Sequence, residues 1–523
     1  MEKPNILVVG ANEGAPHHRN KSIREMRELA VRGAVLYTMP ERYGNNLPPA
    51  GTHINHLIVS KSFLTPNNIT IANDDLRKAY EILRESGGGL PESVIFLGIP
   101  GAIDDTEDGE NFYQPFCKDA GVPEGTEIVL ASGDTECATL MHTVFPESSE
   151  PVTELDPFGY FHEQDTSRLK ADFIVQTGCD MCCTYCCNNY LKKESSKSIS
   201  VPLERAVAEL KELRETHPEI TALRLFGQSL GLYKDNGERC LHKLVEEVDK
   251  LGFEQVSLFS VAPQTLYPEL VKAIRDSNTI TGMHSTIETG SERQAAEIGR
   301  PGTLDKLEDA LKQIRKRKSQ FVWSTSLIAG LPGTTDADDE ATSKYVMKNH
   351  GLVYGITPFS NSPCLPASDL PNQLSYEEIL EHEKKLQILQ FECAMVAGFT
   401  IEAINRKFGR KGLRVQETET DEQYGILHWL QHPLNIGIPL VYTDGILHNV
   451  GEKVHVAPTQ VLWADGDRQS NISRCAIRMQ RGAITEGYSH KLEYDEGYTS
   501  GNYVEDYDST PIGEIVKQVC DKK

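Results

Sequence analysis

Five cysteines crowd into nine residues of this 523-residue chain, in the segment Gly178-Cys179-Asp180-Met181-Cys182-Cys183-Thr184-Tyr185-Cys186-Cys187. The other seven of its twelve cysteines (Cys117, Cys137, Cys240, Cys364, Cys393, Cys475 and Cys520) stand singly. A secreted disulfide scaffold would be short and would spread its cysteines, so such a cluster in a cytosolic chain points to metal binding. A structural zinc site usually pairs two CxxC knuckles across a spacer of ~12–20 residues, so that four thiolates close a tetrahedron. Here Cys179/Cys182 and Cys183/Cys186 abut, which strains that geometry. The register Cys179-x₃-Cys183-x₂-Cys186, with Tyr185 before the last cysteine, is completed from no other starting cysteine. Three thiolates in one loop suit a cubane iron–sulfur cluster, with one iron left open for a non-protein ligand.

The rest of the chain must position that loop. Its 53 basic and 76 acidic residues leave a net charge of −23, which argues against a protein that coats nucleic acid, because a net anion repels phosphate. A hydrophobic share of 39% with 25% charged residues is ordinary for a soluble globular enzyme. No apolar run approaches the ~18 residues of a membrane helix, and Met1-Glu2-Lys3-Pro4 opens a strand rather than a signal peptide. A cytoplasmic location without a membrane partner is the expectation. At ~150 residues per domain the length predicts about three domains.

The α/β pattern divides accordingly. Residues 1–165 alternate strands at Asn5–Gly10, Ala34–Met39, His56–Lys61, Ser93–Ile99 and Glu127–Ser132 with helical stretches such as Lys21–Val31 and Asp74–Glu85. This predicts a doubly wound, Rossmann-like domain, although its first loop, Gly10-Ala11-Asn12-Glu13-Gly14, is not the dinucleotide fingerprint. Residues 166–400 resume the alternation, with strands at Ala171–Gln176, Ala222–Phe226, Gln255–Ser260, Gly282–Glu288, Phe321–Ala329 and Val353–Pro358. Helices Leu203–Leu213 and Thr303–Arg317 carry apolar stripes. Six βα units predict a partial (βα)₆ TIM-type barrel with its chemistry at the strand carboxyl ends, followed by a long helix opened by the capping box Ser375-x-x-Glu378. Residues 401–523 give short β-like runs (Lys453–Pro458, Gln460–Trp463) and an acidic, tyrosine-rich end, hence a small β-containing C-terminal domain.

The cysteine loop, placed directly after the first barrel strand, resembles the CxxxCxφC signature of the radical S-adenosylmethionine (SAM) superfamily. That resemblance implies a [4Fe–4S] cluster on Cys179, Cys183 and Cys186, whose open iron chelates SAM through its amino and carboxylate groups. Reductive cleavage would then give methionine and a 5′-deoxyadenosyl radical. Further segments resemble the family in order. Gly227-Gln228 lies where the SAM amino group is held, and Glu288 and Ser291, in Ile287-Glu288-Thr289-Gly290-Ser291, match an "ESGS" turn facing SAM polar groups. Arg300 matches a basic position that reaches the SAM carboxylate, and Gly330, in Gly330-Leu331-Pro332-Gly333, matches a turn beside the nucleoside. Tyr185 completes this cofactor-binding set; catalytic residues beyond it are not assigned.

Three chemistries fit the resemblance. Cobalamin-dependent members share an N-terminal half with glycine turns like Leu97-Gly98-Ile99-Pro100-Gly101 and Ser132-Gly133-Asp134-Thr135-Glu136, although DxHxxG is missing and His17 and His18 lack its frame. A barrel without a second cofactor is the next reading. Methylthiotransferases share Gly227-Gln228-Ser229, but their three N-terminal cysteines are absent from Gly10-Ala11-Asn12, Ser60-Lys61-Ser62-Phe63 and Gly98-Ile99-Pro100-Gly101. The expectation is alkylation (methyl transfer) or rearrangement of a small molecule or peptide, with an electron donor such as flavodoxin or ferredoxin as partner and nucleic acid disfavoured. Modification of tRNA or protein by methylthiotransfer is the alternative, and a non-catalytic iron–sulfur or zinc-binding interaction protein is the opposing class. The run Arg315-Lys316-Arg317-Lys318 is read as helix-end cations, and 405–411 as either an anion contact or a solvated linker. Cys364 is read as a buried thiol bordering the site.

Overall fold

The computed structural model describes residues 3–9, 26, 28–41, 44–60, 66–97, 109–131, 136–147, 170–186, 198–318, 321–359, 365–407, 413–421, 425–430, 440–442, 445–454, 456–464 and 474–481. The loops at 10–14, 61–63, 98–101 and 132–135, with His17, His18, Cys187, Cys364 and the acidic end, lie outside them.

In the N-terminal part, β1 (Asn5–Val9), β2 (Val35–Glu41), β3 (Gly44–Asn46), β4 (His56–Val59), β5 (Ser93–Leu97) and β6 (Glu127–Ala131) form one sheet in the order β3-β2-β1-β4-β5-β6. All pairs are parallel except β2–β3, so the five expected strands appear, with the antiparallel edge strand β3 as an addition. Alternation along each strand feeds two cores. Leu7, Val9, Leu57, Val59, Val94 and Phe96 pack under α1 (Pro66–Glu85) and α2 (Gly109–Asp119). Ile6, Val8, Ile58, Ile95 and Leu97 pack on the other face, against Leu29 and against Leu140 and Met141 of α3 (Glu136–Val144). Burial on both faces is why these strands read as continuous apolar runs. Reversal of strand order between β1 and β4 makes a topological switch point, where open α/β sheets bind ligands.

The barrel sheet comprises β7 (Lys170–Thr177), β8 (Ile199–Ser200), β9 (Ala222–Gly227), β12 (Gln255–Phe259), β13 (Ile280–His284), β14 (Val322–Ala329) and β15 (Gly351–Pro358), in the order β15-β14-β13-β12-β9-β7-β8. A two-residue-strand hairpin, β10 (Lys234–Asp235) and β11 (Glu238–Arg239), branches off after β9. The six parallel strands match the expected βα units, and β8 adds a short antiparallel edge. The expected fourth strand stops at His284 rather than Glu288, because Glu288 adopts a φ of 65° and rejoins the sheet only as an isolated bridge to Leu327. Around the sheet lie α4 (Leu203–Thr216), α5 (Leu241–Val248), α6 (Pro268–Asp276), α7 (Glu292–Glu297), α8 (Thr303–Arg315) and α9 (Asp336–Lys348). Leu304, Leu307, Ala310, Leu311 and Ile314 give α8 its buried stripe at 3–4-residue spacing.

The helix α10 (Tyr376–Lys407) opens with the expected box: Ser375 N donates to Glu378 Oε2 (2.8 Å) and Glu378 N to Ser375 Oγ (3.3 Å). Beyond it β16 (Leu413–Asp421), β17 (Gly425–Leu430), β18 (Leu440–Tyr442), β19 (Lys453–Val454), β20 (Val456–Ala464) and β21 (Arg474–Arg481) form a mostly antiparallel sheet in the order β19-β16-β17-β18-β21-β20. Leu413, Val415, Leu430, Tyr442 and Val454 of this sheet join the hydrophobic cluster of the barrel. Among the described residues, no helix is long and apolar enough to cross a membrane.

The basic run after α8 folds onto its surroundings. Arg315 Nη1 donates to Asn349 O (2.7 Å), Lys318 Nζ to Ile280 O (2.6 Å), and Arg317 pairs with Asp276 (3.0 Å). Burial pushes the Lys318 ammonium down to about 8 from 10.5. Between those values the unfolded chain binds the extra proton, so stability is expected to rise with pH from about 8 to 10.5. Urea midpoints across that window, compared with Lys318→Met, check this; the same slope in both proteins would contradict it.

Candidate functional site

Barrel strands end in a layer of turns, and the cysteine loop springs from the first of them. Gly178 turns the chain out of β7 with a φ of 72°. Cys179 and Cys183 are buried, Cys186 is half-buried and Cys182 is exposed. The loop closes on itself through Cys186 N to Cys183 O (3.1 Å), and is tied outward by Thr184 N to Ile298 O (3.3 Å) and Ala367 N to Thr184 O (3.1 Å). Tyr185 packs with Ile298, Leu331, Phe359 and Ala367, an apolar cushion drawn from the ends of three barrel units.

Two glutamines clasp the loop root. Gln228 Oε1 accepts from Gly178 N (2.8 Å), while Gln176 Oε1 accepts from Ser229 N (2.8 Å). Gln176 Nε2 faces Thr177 O (2.7 Å), Gly178 O (2.5 Å) and Ser198 Oγ (2.9 Å), so its two protons serve three acceptors. Gly227 makes room for this: a Cβ there would stand 2.7 Å from Gln176 Oε1 and 2.9 Å from Leu230 Cα. Asp180 Oδ1 accepts from Ser198 N (2.7 Å), fixing the far side of the loop. Sequence reasoning missed Gln176 and Asp180; the signal for the first was a glutamine closing an otherwise apolar strand.

A charged network faces the thiols. Arg300 Nε donates to Cys183 Sγ (3.3 Å), Nη1 to Thr286 O (2.7 Å), and Nη2 lies 3.4 Å from Glu288 Oε1. Tyr185 donates its hydroxyl to the same Glu288 oxygen (2.8 Å), and its ring lies 5.5 Å from the guanidinium carbon. Burial pushes the Tyr185 hydroxyl well above its usual range, keeping it a neutral donor. Burial likewise raises the Cys179 thiol, an effect opposed by a Met181 backbone hydrogen bond, the Ser229 hydroxyl and the Arg300 charge.

Of the expected residues, the structure thus brings together Cys179, Cys183, Cys186, Tyr185, Gly227, Gln228, Glu288 and Arg300. It does not bring Ser291: this residue caps α7, and its Oγ donates to Asp338 Oδ1 (2.5 Å). Nor is Gly330 open to a ligand on its Cα side, because a Cβ there would stand 2.7–2.9 Å from Ile379 of α10 at a φ of +67°. Below the turns, Phe259 stacks on His284 (4.2 Å) with Tyr354 at their edges, over an Arg224–Asp172 ion pair.

The donor set discriminates between metals. Four thiolates on one zinc stand roughly 3.8 Å apart, from Zn–S bonds of ~2.3 Å in a tetrahedron. Among the described residues no three cysteine sulfurs lie within 4.8 Å of one another. Sulfurs spread around a cubane bind different irons and need no such closeness. Beside them Thr184 Oγ1 is buried without a hydrogen-bond partner, a donor free for a sulfur acceptor. The residues present therefore fit a [4Fe–4S] cluster better than a mononuclear zinc. The trio that does lie within 4.8 Å, Asp336, Asp339 and His382, already holds its own cation, Lys385 Nζ, at 2.5 Å from Asp336 Oδ1.

The fold and site together define a parallel-barrel domain with a three-cysteine loop above its first strand. Residues 173–346 match the radical SAM superfamily, the family that the barrel is similar to. The family implies a [4Fe–4S] cluster and SAM. The chain is 29% identical over 268 residues, 50% of its length and 62% of the relative's, to threonylcarbamoyladenosine tRNA methylthiotransferase MtaB of Chlamydia pneumoniae. It is 24% identical over 306 residues, 56% of its length and 61% of the relative's, to tRNA-2-methylthio-N(6)-dimethylallyladenosine synthase of Vibrio vulnificus. The chain thus spans about three-fifths of these curated relatives. Among solved structures, the methyltransferase TsrM from Kitasatospora setae, with cobalamin and a [4Fe–4S] cluster bound, superposes with a TM-score of 0.46 at 12% identity over 70% of this chain and 74% of that one.

Proposed function

We propose that this protein is a radical SAM transferase that carries out methyl or other alkyl transfer, or rearrangement, on a small molecule or peptide. The observation that carries the proposal is the convergence of three thiols, Gln228 and the Glu288–Arg300–Tyr185 network on one layer of strand carboxyl ends. Cys179, Cys183 and Cys186 would hold the cluster, which when bound would supply the electron that splits SAM into methionine and a carbon radical. Gln228 keeps its amide N–H groups without acceptors among the described residues, so they are available to the SAM carboxylate or a ribose oxygen. Glu288 accepts from SAM's amino group or ribose hydroxyls on the oxygen that Tyr185 and Arg300 leave less used. Arg300 neutralises the carboxylates gathered there, and Tyr185 with its apolar cushion keeps water from the loop.

Methylthiotransfer to tRNA is the second reading, favoured by the curated relatives. Against it stand the missing N-terminal cysteines and the net charge of −23. The cobalamin reading falls on loops at the β1/β4 switch point and the carboxyl ends of β5 and β6, which lie outside the described residues.

The test is anaerobic reconstitution with iron and sulfide, then reductant and SAM, with 5′-deoxyadenosine read by mass spectrometry. Its formation is the expected result; its absence from a fully loaded protein would sink the proposal. Added methylcobalamin, with retained corrin measured, separates cobalamin-dependent alkylation from a single-cofactor reaction. A parallel arm with unmodified tRNA, scored for methylthio-adenosine, decides the second reading. Flavodoxin or ferredoxin is the electron donor to try in place of the chemical reductant.

A further inference from the structure

We infer that Arg300 and Glu288 act as an opposed pair of charges that sets the reduction potential of the cluster, a role that rests on the proposed cluster at Cys179, Cys183 and Cys186. Arg300 is buried, and its Nε and Nη2 share one edge of the guanidinium. On that edge stand the Cys183 sulfur, 3.3 Å from Nε, and Glu288 Oε1, 3.4 Å from Nη2. One cation thus serves a cluster sulfur and a carboxylate side by side. Neither charge can drift away. Nη1 is fixed on Thr286 O (2.7 Å), and Glu288 is fixed by the Tyr185 hydroxyl (2.8 Å).

The backbone of Glu288 adds a second line of support. Its φ of 65° is rare for a residue bearing a side chain, and it is held there by Glu288 N to Ser326 O (3.3 Å) and Ile328 N to Glu288 O (2.9 Å). Such strain persists only where the surroundings over-determine it, and it collects at functional sites. Here it delivers a carboxylate to the guanidinium edge.

Reduction adds an electron to the cluster. A cation and an N–H donor at one of its sulfurs stabilise the reduced form and raise the potential; a neighbouring carboxylate does the reverse. Because the groups are buried, water screens them weakly. A residue that only gripped SAM would alter SAM affinity and leave the potential of the SAM-free cluster where it was.

The test reconstitutes wild type, Arg300→Gln, Arg300→Lys and Glu288→Gln anaerobically with iron and sulfide. The cluster potential is then read without SAM, by dithionite titration followed by EPR. Arg300→Gln is expected to shift the potential to more negative values and Glu288→Gln to more positive ones. Arg300→Lys, which keeps the charge, should stay closer to wild type than Arg300→Gln. Unshifted potentials, or shifts of the same sign, overturn the inference while the cluster itself stands. Should Arg300→Gln retain no cluster, the sign of the Glu288→Gln shift decides alone. Failure of the wild type to take up a cluster overturns both this inference and the proposed function.

Discussion

Replacing Cys183 by alanine is expected to abolish both cluster retention and 5′-deoxyadenosine formation. The loss should exceed the about 10–100-fold that removing an outer-shell partner of a metal site costs, because a ligand itself is removed. Of the three thiols in register, Cys183 is the one that receives Arg300 Nε. Its sequence neighbour Cys182 is exposed and outside the Cys179-x₃-Cys183-x₂-Cys186 register, so Cys182→Ala should keep both properties. Iron and sulfide analysis with mass spectrometry of the nucleoside product separates the two variants. If they behaved alike, the register would be wrong and a zinc-type use of the neighbouring pairs would return.

The second large effect falls on a residue that ligates nothing. Gln176→Leu keeps the size of the side chain but strands the buried Ser229 N–H and the carbonyl oxygens of Thr177 and Gly178. Unsatisfied buried groups cost about 1–3 kcal/mol each, and part of that relaxes, so a loss of about 3 kcal/mol is expected. Urea unfolding measures it. Cluster occupancy should fall as well, since the clasp from Gln176 to Ser229 and from Gln228 to Gly178 is what fixes the root of the cysteine loop. Gln176→Glu keeps the acceptor for Ser229 N but sets a carboxylate against two carbonyls, so it should rescue little. Full occupancy in the leucine variant would show that the loop holds its shape without the clasp.

How much of this was legible in the sequence follows from physical range. Period-2 and period-3.6 patterning acts within a few residues, and it placed all eleven expected strands of the first two domains and the stripe of α8. The cysteine register is local too, and spacing alone set it apart from paired knuckles. What the sequence hid depends on contacts across the fold. Ser291 looked like a ligand contact within its turn, yet its hydroxyl is taken by Asp338, 47 residues further along the chain. Gly330 looked like a cofactor turn, and its missing Cβ instead admits α10. Gln176 carried no motif, because its partners come from three separate segments. The edge strands β3 and β8, three and two residues long, are too short to leave a period.

The sharing of one hydrophobic cluster by the barrel and the C-terminal sheet has a consequence for how the chain comes apart. Leu413, Val415, Leu430, Tyr442 and Val454 lose their burial if the barrel opens, and the barrel loses theirs if the sheet detaches. The two regions are therefore coupled into one cooperative melting unit, whereas the N-terminal sheet, with two clusters of its own, can melt separately. In a calorimeter the three sequence regions count as two, and a chain cut near residue 400 would lose the barrel's integrity along with the sheet.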